Sequence, residues 1–199
     1  MLIDFDGSIL IGAVLLWGFL IVLLKWKFKK TNLYLIFFSL FYIHLCNVLN
    51  YTQFPIILDP EMKKEIGQNV WRDANFIPFN LHKEDMKTSL LNILLTIPFG
   101  FGIPFIAKVN CKRIALLGVL LGICLECLQL IIALIVGFTF KYVDMNDVLF
   151  NFSGAILGYG LFQAFMILFK AWIHKLNIKL NPFLKYIYEI NENERFLSR

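Results

Sequence analysis

Five long apolar segments dominate this sequence and limit the folds that it can adopt. They cover approximately residues 8–24, 33–49, 90–107, 114–136 and 148–169, and polar connections separate them. A helix needs about 20 mainly apolar residues to cross the hydrocarbon core of a bilayer. Within that core only helices and closed barrels satisfy their own backbone hydrogen bonds. We therefore predict an all-α polytopic membrane bundle of about five transmembrane helices.

Positive charges at the ends of these segments predict the orientation of the bundle. A basic run, residues 25–30, follows the first segment, and Lys108, Lys112 and Arg113 lie between the third and the fourth. Short connections rich in Lys and Arg stay in the cytoplasm. We therefore expect the N-terminus outside and the C-terminus inside. The net charge of +5 then reflects topology, and we expect no nucleic-acid partner.

The chain divides into three parts. Residues 1–74 are predicted to form two N-terminal transmembrane helices and an outer loop, residues 75–169 three further helices, and residues 170–199 a basic cytoplasmic tail. The aromatic residues of the outer loop favour a position at the outer interface, with a short amphipathic helix over residues 60–71. Pro98 and Pro104, with two glycines between them, should bend or unwind the third helix.

Several polar residues interrupt the fourth and fifth apolar segments. An ionisable side chain at the centre of a membrane helix costs at least about 2.5–3.5 kcal/mol on insertion scales. Glu126 and Gln129 share one helix face, and Asp144, Asp147 and Asn151 are spaced to share another. We predict that these two faces surround a polar cavity that opens to the outer side.

Structural roles remain open beside this functional interpretation. Asp144 and Asp147 are placed to complement the positive end of the dipole of the fifth helix. Glu126 could belong to a structural hydrogen-bond network with Asn92 or Asn151. Gly154 and Gly158 have the spacing that allows close approach of another helix, in the same chain or in a second copy.

Five short stretches in fixed order resemble the VanZ-like family of bacterial membrane proteins. They are Asn75-Phe-Ile-Pro-Phe79, residues 92–101, Glu126-Cys-Leu-Gln129, residues 144–151 and residues 154–159. The resemblance covers about residues 75–162 and leaves the first two helices outside. Many members carry Arg where Lys141 stands and an acidic residue where Asn146 stands.

The resemblance implies a bacterial plasma-membrane protein of the cell envelope, with a role in resistance to teicoplanin, a lipoglycopeptide. The polar residues of the family pattern correspond to residues of this sequence, and these define the candidate site. The candidate catalytic residues are Glu126, Asp144 and Asp147, and the candidate ligand-binding residues are Asn75, Asn92, Gln129, Lys141 and Asn151.

Three functions are compatible with these residues. The first is a protein whose outward-facing cavity engages a lipid-linked or lipoglycopeptide ligand. The second is an intramembrane enzyme acting on a lipid or cell-wall precursor, because carboxylates support acid–base chemistry. The third is a small transporter or a structural partner, including a homo-oligomer. We predict no cofactor, and carboxylate ligation of a divalent cation stays open.

Overall fold

The computed structural model describes residues 2–59, 61, 63–64, 70–79, 86–139 and 141–190. Within these residues five long helices carry the fold: α1 (Gly7–Trp26), α2 (Asn32–Gln53), α4 (Met86–Gly102), α5 (Cys111–Val136) and α6 (Met145–Lys175). The shorter elements are β1 (Leu2–Ile3), β2 (Ile56–Ile57), α3 (Val70–Asp73), a 3₁₀ turn (Ile103–Phe105) and α7 (Pro182–Ile190).

The prediction of an all-α polytopic bundle is confirmed. Each long helix, α4 being counted together with its 3₁₀ turn, has the length and apolar composition needed to cross a membrane. Strands β1 and β2 are only two residues long and pair antiparallel. The main difference from the sequence prediction is α7, a helix within the segment predicted to be a basic tail. The last nine residues of that tail lie outside the described residues.

Helix α6 is the central element, and glycines allow its neighbours to approach it closely. A Cβ atom on Gly154 or Gly158 would collide with the backbone oxygens of Ile93 and Ile97 in α4. On the other side, a Cβ on Gly122 of α5 would lie 2.9 Å from Cα of Val148. The face with the GxxxG spacing is therefore occupied by α4 of the same chain.

The proline-rich end of α4 unwinds only at its C-terminus. The α-helix continues past Pro98 to Gly102 and then tightens into the 3₁₀ turn that contains Pro104. This turn is fully buried and belongs to the main apolar core with Ile114, Phe162 and Met166.

Helix α1 lies at the periphery of the bundle. It has no buried residue, so its surface is left for lipid. Three hydrogen bonds attach it to α2. Tyr42 Oη–H donates to the Ala13 carbonyl at 2.7 Å, Trp17 Nε1–H donates to Ser39 Oγ at 3.0 Å, and Lys25 Nζ donates to Asn32 Oδ1 at 2.6 Å.

The predicted amphipathic helix over residues 60–71 lies largely outside the described residues. The aromatic side chain of Trp71, at the end of this segment, and those of Tyr51, Phe76 and Phe79 on either side are exposed.

Candidate ligand-binding cavity

Asp144 organises the turn that leads into α6. It is the N-cap residue, and its Oδ1 accepts hydrogen bonds from the backbone N–H of Asn146 at 2.8 Å and from Asn75 Nδ2 at 3.0 Å. A capping carboxylate satisfies a backbone donor and complements the helix dipole. The structural interpretation of Asp144 as a cap is therefore confirmed.

Glu126 holds the same turn from the opposite side. Its side chain is buried in α5, and Oε2 accepts the backbone N–H of Asp144 at 2.8 Å. The partner is thus a backbone group of the turn and neither Asn92 nor Asn151, the partners suggested by the sequence. This hydrogen bond ties the middle of α5 to the start of α6.

The segment from Asn75 to Phe79 is attached to this turn by backbone pairing. The Asn75 N–H donates to the Val143 carbonyl at 2.9 Å, and the Met145 N–H donates to the Asn75 carbonyl at 2.9 Å. A side-chain bond adds to the pairing, because the Phe79 N–H donates to Asn146 Oδ1 at 2.7 Å. The family-pattern residue Asn75 therefore positions Asp144 directly.

Lys141 and Gln129 connect the site to the C-terminal end of α2. Lys141 Nζ donates to the carbonyls of Tyr51 at 2.6 Å and Phe54 at 2.7 Å, and Gln129 Nε2 donates to the Thr52 carbonyl at 3.3 Å. The last carbonyls of a helix lack intrahelical partners, and a cation complements them. Burial lowers the pKa of the Lys141 ammonium from its usual value.

These elements enclose one side of a cavity of about 620 Å³. Five of the eight predicted site residues line it: Asn92, Gln129, Lys141, Asp144 and Asp147. Seven further described residues also line it: Tyr51, Thr52, Thr88, Leu91, Leu94, Leu95 and Tyr142.

The three remaining predicted residues lie outside the lining. Glu126 and Asn75 contact Asp144 instead, and Asn151 is only 1% exposed. The structure thus separates residues at the cavity surface from residues behind it.

The cavity wall has a polar and an apolar part. Leu91 and Leu94 are about half exposed, at 54% and 53%, although they lie on a membrane-spanning helix. Asn92, between them in sequence, is 8% exposed, and the described residues offer its Nδ2 no acceptor. Gln129 Oε1 likewise has no donor within the described part of the chain. Two buried polar atoms of this wall, Asn92 Nδ2 and Gln129 Oε1, thus lie beside leucine side chains and lack a partner among the described residues.

The sequence prediction missed the contribution of α2. Thr52 lines the cavity, and Gln53 is buried, with Nε2 donating to the Leu125 carbonyl at 3.2 Å. A signal was present, since two polar residues extend the second apolar segment just before Pro55. Among the described residues, no group of three or more His, Cys, Asp or Glu side chains is arranged to hold a metal ion.

The fold and these helices define a multi-pass membrane protein with a polar site set between apolar helices. The model of the VanZ/LLP1 family matches residues 41–169, more than half of the sequence, and this chain belongs to that family. No curated protein and no solved structure matches it. The matched region begins within α2, earlier than expected, and it includes all eight predicted site residues.

Proposed function

We propose that this protein is a cell-envelope membrane protein whose cavity binds the polar part of an amphiphilic molecule, either a lipid-linked compound or a lipoglycopeptide. One observation carries the proposal. A single cavity of about 620 Å³ joins two carboxylates and an ammonium group to a row of leucines.

The two kinds of wall suit the two parts of an amphiphile. Ligand sites are usually apolar with a few polar groups that fix orientation. Here Asp144, Asp147 and Lys141 can meet a headgroup, while Leu91 and Leu94 can meet an acyl chain. A ligand confined to water would gain little from the leucines, and a hydrocarbon would form no polar contact with the charged side chains.

In the proposed orientation, the ligand reaches the cavity from outside the cell. The cavity lies at the end of the bundle opposite the basic connections, so a cytoplasmic location of those connections makes the cavity face outward. In the bacterial plasma membrane, such a site could engage a teicoplanin-type lipoglycopeptide or the envelope lipid that it meets. Drug tolerance would follow from that binding.

Thermal unfolding of the purified protein tests the proposal. A ligand at 100 times its Kd raises the free energy of unfolding by about 2.7 kcal/mol, if it binds only the native state. We expect one or more amphiphiles from a panel of envelope lipids and lipoglycopeptides to stabilise the wild type. Asp147→Asn should lose this stabilisation.

Asp4→Asn is the matched control, because Asp4 is exposed and does not line the cavity. Stabilisation that survives equally in both variants would place the ligand elsewhere. A panel in which no amphiphile changes the unfolding temperature of the wild type would refute the proposal.

An intramembrane enzyme is the second candidate, supported by the presence of Asp144 and Asp147 in one lining. Two carboxylates in different surroundings can divide the roles of general acid and general base. Mass spectrometry of an envelope lipid extract incubated with wild type and Asp147→Asn separates the two functions. Only an enzyme converts a lipid into a new species.

A further inference from the structure

Helix α7, at the end of the bundle opposite the cavity, has two different faces. On one face Ile187 is buried, and Tyr186 Oη–H donates to the Phe105 carbonyl at 2.6 Å. On the other face Lys185 and Glu189 are exposed one helical turn apart, with Nζ and Oε1 3.7 Å from each other. The helix is therefore amphipathic, and the bundle covers only its apolar face.

Exposed apolar side chains lead from the membrane-spanning part of α6 towards α7. Leu168, Trp172 and Leu176 follow one another at four-residue intervals, so they share one helix face, and they are 70%, 53% and 55% exposed. Leu180 and Phe183, further along the chain, are 39% and 46% exposed. Tryptophan is enriched where a membrane-spanning helix leaves the hydrocarbon. A succession of exposed apolar residues past that level is typical of a segment that lies at the membrane interface.

Positive charge accompanies these apolar side chains. Lys175 ends α6, Lys179 lies in the turn before α7, and both are exposed. Over the whole sequence of residues 170–199 there are six Lys and Arg against three Glu. The connections at the same end, residues 25–30 and 108–113, add seven Lys and Arg and no acidic residue. The net positive charge of this end thus holds for the complete sequence.

We infer that α7 and the turn before it, residues 176–181, form an interfacial anchor that binds the anionic headgroups of phospholipids. The inference concerns the end of the molecule opposite the cavity and goes beyond the proposed function. Lys175 and Lys179 donate charge-assisted hydrogen bonds to the lipid phosphates. Leu180 and Phe183 lie beneath them, at the boundary of the acyl chains. A zwitterionic headgroup would bring an ammonium group that these lysines repel.

Tryptophan quenching in reconstituted bilayers tests this anchor on the full-length protein. Trp172 is made the single tryptophan by replacing Trp17, Trp26 and Trp71 with Phe. Bromine atoms on acyl chains quench a tryptophan that they contact, so brominated phosphatidylglycerol and phosphatidylcholine report which lipid lies beside Trp172. We expect phosphatidylglycerol to bind there about fivefold more tightly, the factor that one lysine near an anionic surface contributes. This preference should fall as salt screens the charges.

Two double substitutions, which remove the same charge at opposite ends of the molecule, locate the site. In the Trp172 protein, Lys175→Gln with Lys179→Gln should bring the preference for phosphatidylglycerol close to unity. Lys64→Gln with Lys87→Gln is the matched control, because both lysines are exposed at the cavity end. The control should keep the preference of the parent protein.

Unfolding temperatures provide a second measurement that needs no tryptophan substitution. We expect phosphatidylglycerol to stabilise the detergent-solubilised protein more than phosphatidylcholine with the same acyl chains does. The Lys175 and Lys179 double variant should lose this difference.

Three results would overturn the anchor. They are equal quenching by the two lipids, a preference that survives the loss of Lys175 and Lys179, and stabilisation by soluble glycerol phosphate as strong as by phosphatidylglycerol. None of them affects the proposed cavity, which is tested separately with Asp147→Asn.

Discussion

Glu126 shows how a buried carboxyl group can serve a membrane protein without facing the cavity. It lies 18 positions before Asp144 in the sequence, yet its Oε2 accepts the Asp144 backbone N–H at 2.8 Å. That N–H lies at the start of a helix, where backbone donors lack intrahelical partners. We therefore regard Glu126 as a positioning residue for Asp144.

Two substitutions separate the acceptor role of Glu126 from its charge. Glu126→Gln keeps a side-chain oxygen that can accept the Asp144 N–H, whereas Glu126→Leu leaves this buried donor unpaired. An unpaired buried donor costs about 1–3 kcal/mol. We expect Glu126→Leu to lower the unfolding temperature clearly and Glu126→Gln to lower it little, measured in detergent.

The ligand-binding profile of Glu126→Gln provides the control for this role. A positioning residue should leave the order of ligand preference unchanged when its hydrogen bond is kept. If Glu126→Gln abolished ligand binding at wild-type stability, the charge itself would be required and the positioning role would be wrong.

For single residues, the sequence predicted which ones are unusual but not what each one contacts. Glu126, Asp144 and Asp147 are conspicuous because charge is costly in a bilayer. Helical spacing could place them on faces, but it could not predict that Asn75 pairs with the turn through its backbone. Such pairing depends on the path of the long loop, which has no periodicity to read.

Helix packing around α6 is set by small residues at particular positions. Gly154 and Gly158 both face the backbone of α4, whereas Gly160 faces open space on the surface of the same helix. Without a hydrophobic driving force between helices in lipid, close backbone approach supplies much of the packing energy. The packing of α6 against α4 therefore depends on Gly154 and Gly158 and not on Gly160.

Alanine substitutions at two of these glycines form a matched pair. Gly158→Ala adds a methyl group that would overlap the Ile97 carbonyl, and overpacking of this kind costs about 1–3 kcal/mol. Gly160→Ala adds the same group to open space and should keep or improve stability, because Ala favours helix by up to about 1 kcal/mol. Unfolding temperatures of both variants decide the matter. Equal effects would mean that α4 does not pack on this face.

Helix α7 packs against the end of the bundle that lies opposite the cavity. Tyr186 Oη–H donates to the Phe105 carbonyl at 2.6 Å, its ring stacks on Phe37 at 5.3 Å between centroids, and Ile187 is buried. This helix escaped prediction because nine residues are too few for a membrane span, and the surrounding lysines resemble a solvated tail. The five long helices were predictable because their apolar length alone identifies them.

The docking of α7 predicts a loss of stability at high pH. Burial raises the pKa of the Tyr186 hydroxyl from 10.0 to about 12, because the phenolate is poorly solvated there. Between pH 10 and pH 12 the folded state keeps this proton while the unfolded state releases it. The contribution of Tyr186 to the free energy of unfolding is therefore complete below pH 10 and is lost towards pH 12. We expect Tyr186→Phe to show a smaller decline across this range, measured as unfolding temperature against pH. If the unfolding temperature of Tyr186→Phe declined as steeply as that of the wild type, groups other than Tyr186 would cause the loss of stability.

The whole molecule is polarised along the direction of its helices. One end carries Asp4, Asp6 and the cavity lined by Asp144 and Asp147, beside the paired strands β1 and β2. The other end is basic, with Lys27, Lys29 and Lys30 after α1, Lys108 before α5, and Lys112 and Arg113 in the first turn of α5. Because short basic connections resist translocation, the two ends should lie on opposite sides of the membrane.

Cysteine labelling in intact cells tests this orientation with residues that the chain already provides. Cys111 is exposed and begins α5 at the basic end. In a variant with Cys46, Cys124 and Cys127 replaced by Ala, we expect Cys111 to react with a membrane-impermeant maleimide only after the cells are permeabilised. In a background with all four cysteines replaced, Asp4→Cys should react in intact cells, because Asp4 is exposed at the cavity end. The reverse pattern would turn the cavity towards the cytoplasm. The ligand would then have to come from the inner leaflet, and direct engagement of an extracellular lipoglycopeptide would be excluded.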